Sequence, residues 1–135
     1  MSAGNQTETD LANLIFFQTA LPAAWTPGTL NLALHTADPG EAGTQSTNEV
    51  SYTGYARVSL ARSGAVWTAA SGNIANVNAI SFGQRTDAGS TVVTHWSLGL
   101  TNGQIVVSAP LSPATTIAQN SIPTFNAGIL QTAID

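Results

Sequence analysis

The sequence predicts a mainly β fold: an antiparallel β-sandwich or barrel-like domain with one short N-terminal α-helix and an extended N-terminal arm. Three observations predict it. From Leu30 onward apolar residues recur at every second position, the spacing of a strand with one buried face. These runs are short and are separated by turn-forming stretches such as "SGN", "TDAGS" and "TNGQ". A helical period occurs near the start, directly after a polar leader.

Taken in order, residues 1–10 ("MSAGNQTETD") are polar and form the arm. "TETD", Thr7 to Asp10, matches the capping pattern of a helix start, with acids placed favourably for the helix dipole. Leu11, Leu14, Ile15 and Gln18 then fall at i, i+3, i+4 and i+7, so a helix is expected over 8–19, and Pro22 forbids its continuation. The sandwich is expected to occupy 30–135. Leu30, Leu32 and Leu34 alternate with Asn31, Ala33 and His35; Val92, Thr94, Trp96, Leu98 and Leu100 are expected on one face, opposite Val93, His95, Ser97 and Gly99. "YARVSLAR", "AVWTA", "AISFG", "QIVVSA" and "NAGILQTAI" are further strands. Asn102-Gly103, between two apolar runs, is expected to close a type I′ hairpin. With 135 residues and no break in composition, the chain reads as a single domain, 1–135.

The composition narrows the function. Charged residues make up 7% of the chain, against roughly 25% in soluble domains generally. Lysine is absent and the three arginines, Arg57, Arg62 and Arg85, are scattered, so the basic footprint of a nucleic-acid binder is missing. A face of Thr, Ser, Asn, Gln and Gly costs less to desolvate than one of ions and suits protein contact. No apolar run reaches the ~18 residues of a membrane span, and with no cysteine there is neither a disulfide nor a thiolate site. Neither nucleic acid nor membrane is expected as a partner.

Candidate chemistry concentrates in Leu30 to Val58, where His35 lies near the end of a core strand (Leu30 to Thr36), Asp38 lies in the turn Ala37 to Gly40 and Glu41 opens the surface loop Glu41 to Gly54. The local pattern "ADPGE" is turn chemistry: Asp38 bonds the backbone ahead of it, Pro39 fixes φ, and Gly40 takes the conformation other residues avoid. His95 faces away from the apolar set of its strand and can meet His35 across the sheet, but no acid nearby completes a metal shell. No G-x-S-x-G elbow and no phosphate-binding glycine loop is present. No catalytic residue, metal ligand or cofactor is therefore assigned, and the chain is not expected to be an enzyme. Trp96 is expected in the core. Tyr52 and Tyr55 bracket Gly54 at the end of the loop and are candidate contact residues.

The order of these features, a short helix, a strand leading into "LHTADPGEAGTQSTNEVSYTGYARV", then "AISFG" and "TVVTHWSLGL", resembles a family of small tailed-bacteriophage virion proteins labelled tail fibre protein or head decoration protein. The family string "VALxTxDPGEAGTGTEVSGGxYAR" is similar to Leu30–Arg57, and "TVTHFGIFD" is similar to "TVVTHWSLGL". Here "THWSLG" stands in place of "THFGI", and "GTQSTNEVSYTG" is longer than in many relatives.

The resemblance implies a structural, non-enzymatic virion protein. A polar N-terminus frays in isolation, so an ordered one points to neighbouring subunits that hold it. On that ground the expected role is a capsid decoration (cement) protein on the outer surface of the capsid, assembled in the host cytoplasm. Its expected partners are the major capsid protein and further copies of itself, as a trimer. The alternative is a tail fibre or tail-tip structural or receptor-binding module. The expected interface comprises Asn5, Gln6 and Thr7 of the arm, Pro39 and Glu41 of the loop, and Tyr52 and Tyr55.

Overall fold

The structure is a computed structural model that describes residues 2–134; Met1 of the expected arm lies outside the described residues. Its elements are β1 (Ser2–Ala3), α1 (Asn5–Phe17), a 3₁₀ turn (Ala23–Trp25), β2 (Thr29–His35), β3 (Val58–Ala61), β4 (Trp67–Ala70), β5 (Asn73–Asn76), β6 (Ile80–Ser81), β7 (Ser90–Gly99), β8 (Ile105–Ala118), β9 (Thr124–Phe125) and β10 (Gln131–Ala133). Every strand pairing is antiparallel. A five-stranded sheet in the order β1-β8-β7-β2-β3 is accompanied by a three-stranded sheet, β10-β5-β4, and the pair β6-β9, and among the described residues no barrel closes.

The core lies between the large sheet and the small ones. Leu32 and Leu34 of β2, Trp96 and Leu98 of β7, and Val107 and Ala109 of β8 meet Ile80, Phe82, Phe125 and Leu130, with Trp67 and Ile74 packed against the cluster. The N-terminal strand is tied to the main sheet through Ser2↔Ser108 and Ala3↔Val107. Beyond Ser108 no strand pairs with the outer edge of β8 among the described residues.

Two expected local details differ. The alternation assigned to β7 changes phase: Val93 pairs with Thr115 and His95 with Pro110, a slip that consumes more residues of β8 than of β7. Val93 is thereby buried together with Trp96, while Val92 turns to solvent. The hairpin after β7 forms at the expected place, but of its two central residues only Gly103 has positive φ (88°), and Gly103 N–H bonds Leu100 O at 2.9 Å. That is the pattern of a turn closed by a glycine bulge, not a type I′ turn.

The helix also departs from expectation. It begins at Asn5 instead of residue 8, so the arm reduces to β1 and Gly4. Gly4, not Thr7, is the cap; its N–H reaches Val106 O, and a Cβ there would collide with Ile105 O. Thr7 lies inside the helix, where its hydroxyl donates to Ile105 O at 2.7 Å. Asp10 accepts from Trp25 Nε1 (2.8 Å), Gln104 Nε2 (3.0 Å) and Gln6 Nε2 (3.0 Å). Burial opposes its charge, but these three donors outweigh burial and hold the carboxyl below its ordinary value. The helix is thus anchored by its polar residues, with Thr7 and Asp10 buried, and its apolar stripe of Leu11, Leu14 and Ile15 faces outward. Gln18 in left-handed conformation ends it (φ 54°).

Candidate interaction surface around the long loop and the helix

The loop between β2 and β3, residues 36–57, begins as its sequence dictates. Asp38 Oδ1 accepts from Gly40 N–H at 2.8 Å and Gly40 takes positive φ (72°). Past this turn the segment Glu41 to Gly54 stays largely exposed but is pinned to the domain at three buried residues, Gln45, Val50 and Tyr52. The chain folds back so that Gln45 is buried against the polar face of β2 and β7, while Val50 and Tyr52 are buried in the hydrophobic core. Val50 N–H bonds Leu34 O and Thr36 N–H bonds Asn48 O, so the returning segment runs along the end of β2.

A polar network fastens this layer. His35 and His95 are direct cross-strand partners, as their positions suggested. His35 is fully buried; its Nδ1 lies 2.9 Å from Thr47 O and its Nε2 2.7 Å from Ser97 Oγ. A carbonyl only accepts, so Nδ1 carries the proton and Nε2 accepts from the serine: the ring is neutral and committed to structure. Burial drives its pKa down. Gln45 Nε2 donates to Asn31 O (2.8 Å) and Ser97 Oγ (3.3 Å), and a Cβ on Gly99 would occupy the space of the Gln45 amide. Glu49 accepts both Arg57 Nε and Nη2 at 2.7 Å and Tyr55 Oη at 2.8 Å. Burial raises the Glu49 pKa less than Arg57 and Tyr55 lower it, so it sits below its usual range; burial pushes the Tyr55 phenol up.

Because His35 is held neutral, folding is linked to pH. Its folded-state pKa lies below the ordinary 6.5, so the unfolded chain takes up the proton first; its stabilising contribution is complete above 6.5 and is lost as pH falls through the folded value. Melting temperature is expected to fall between pH 7.5 and 5, and His35→Gln is expected to flatten that slope. An unchanged slope in H35Q would show that other groups carry it.

The expected contact residues separate by burial. Thr7, Pro39 and Tyr52 are buried within the protomer and present no free surface; Tyr55 is half-buried and spends its hydroxyl on Glu49 and Leu34 N–H. Tyr52 packs edge-on against Tyr55 and donates to Gly83 O, and Tyr55 stacks on Phe82, so both rings continue the core. Asn5, Gln6 and Glu41 are exposed and adjacent, Asn5 N–H bonding Glu41 O at 3.0 Å. Asn5 and Glu41 line two open grooves, one with Asp38 and His95, the other with Gln6, Thr44 and Gln104. Among the described residues no group of three or more His, Asp or Glu is placed to hold a metal ion.

The largest exposed feature was not among the expected contacts. Ile15 (67% exposed), Phe16 (76%) and Phe17 (74%) project from the end of α1, with Leu11 and Leu14 beside them. Its signal in the sequence is "LANLIFF", in which every residue but Asn13 is apolar, so no polar face is left to meet water.

Comparison with known proteins gives the family. No curated protein matches the chain. The family model described as "Podophage GP4 fiber I protein gp80" matches residues 2–133, which takes in the strand and loop motifs, the core strands and the helix. With its whole described fold inside that match, the chain belongs to this phage fibre protein family.

Proposed function

We propose that the chain is a structural subunit of a podophage fibre, working through protein contact and not through catalysis. The observation that carries this reading is the match of residues 2–133 to a fibre protein family. The chemistry supports it: the buried histidine is spent on a backbone carbonyl and a serine, and the strongest ion pair fastens a loop. The weakly charged surface is cheap to desolvate against other virion components.

The capsid-decoration expectation drew on neighbours holding the N-terminus. That support falls away, because β8, Trp25 and Gln104 of the same chain hold it. Immunogold labelling of intact virions with antibody to this chain is expected to mark the fibres at the tail. Label spread over the capsid faces, with bare fibres, would overturn the reading.

A further inference from the structure

We propose that the outer end of α1 is a self-association surface, on which Leu11, Leu14, Ile15, Phe16 and Phe17 of one copy pack against the same residues of another. Only the N-terminal half of the helix is held by the domain, through Thr7 and Asp10; from Leu11 to Phe17 every residue but Asn13 is exposed. An apolar helix segment is stable when it is surrounded, and the domain covers Leu11 and Leu14 only in part and leaves Ile15, Phe16 and Phe17 mostly open.

The area fits such a contact. Each phenylalanine buries roughly 150–250 Å² when enclosed, and three-quarters of that is still open at Phe16 and Phe17. With Ile15 and the two leucines the patch comes to about 500 Å², the upper range of apolar patches tolerated on monomers and more than half of the ~800 Å² that each partner contributes to a standard interface.

Charge selects the occupant. No Asp, Glu, Lys or Arg occurs from Leu11 to Ala37, so the apolar residues have no charge among them, and the nearest exposed acid on the helix is Glu8, one turn before Leu11. With Glu8 as the one exposed acid of α1 beside it, the patch offers little charge to steer an unlike protein into register. Helices that lie on membranes carry Lys or Arg along their polar face, and α1 has neither. The surface most complementary to this helix is the same helix in another copy, paired at the usual 8–10 Å of helix packing. This deepens the fibre proposal but needs only purified protein, so it can fail while the location in the virion stands.

Sedimentation equilibrium of the full chain is expected to show a concentration-dependent oligomer. Phe16→Ser with Phe17→Ser is expected to raise its dissociation constant at least ~10-fold without changing the circular dichroism or melting of the protomer. The chain has no cysteine, so Ile15→Cys provides a second readout: mild oxidation is expected to give disulfide-linked dimers. A wild-type chain that stays monomeric and an I15C variant that does not cross-link would overturn the proposal. So would an oligomer that survives the double serine substitution, which would place the contact elsewhere, or binding of the monomer to neutral vesicles through α1, which would make lipid the occupant.

Discussion

Replacing Glu49 with alanine is expected to lower the free energy of unfolding by about 2 kcal/mol in urea titration. Breaking a fully buried ion pair costs roughly 3–5 kcal/mol, and this pair keeps part of its hydration, with side chains 25% (Arg57) and 17% (Glu49) exposed. The loss is concentrated in the loop, because Glu49 joins Arg57 and Tyr55, and Tyr55 Oη in turn accepts Leu34 N–H at 3.2 Å. Amide hydrogen exchange is therefore expected to accelerate from Thr44 to Arg57 while the β7–β8 ladder stays protected. A double-mutant cycle with Arg57→Ala is expected to give a coupling of at least ~1 kcal/mol; strict additivity would show that the two side chains do not act as a clamp. Glu49 has a folded-state pKa below its ordinary 4.5, so its contribution is complete above that value and disappears as pH falls through the folded pKa.

Trp96→Ala is expected to cost more, about 3–5 kcal/mol, since a large fully buried ring is lost and its surroundings are held by three paired strands. At this chain length that corresponds to roughly 10–20 °C in melting temperature. The companion substitutions test the phase change in β7. Val93→Ala is expected to be clearly destabilising and Val92→Ala to stay within ~0.5 kcal/mol, because Val93 is fully buried and Val92 half-exposed. Equal effects at the two positions would contradict the slip in register.

Those valines also show where the sequence stops being readable. The alternation along β7 is legible in the chain itself, but its interruption is set by β8 opposite, where Pro110 and Pro113 lack the N–H that a regular ladder needs. The helix was legible from its period, yet Thr7 and Asp10 resembled a cap and are instead anchors. Their partners, Ile105 and Trp25, stand 98 and 15 residues away, and no local pattern encodes that choice. The start of the loop was legible because Asp-Pro-Gly chemistry is local. Its role as a second layer was not, since it depends on Gln45 reaching β7 and on the small residues Ser97 and Gly99 that leave room for it. β5 leaves little trace in the sequence because it contains a single large apolar residue, Ile74. Its buried Asn76 works through polarity, donating to Asn126 O and accepting from Leu130 N–H.

The short reach of β1 along β8 bears on how such a protein survives being made in quantity. Among the described residues that strand has no partner on its outer flank from Ala109 to Thr116, and an open flank is where one molecule can add its strand to the next without limit. Pro110 and Pro113 fall within this stretch and break the row of donors, so runaway polymerisation along the sheet is discouraged at its most inviting place.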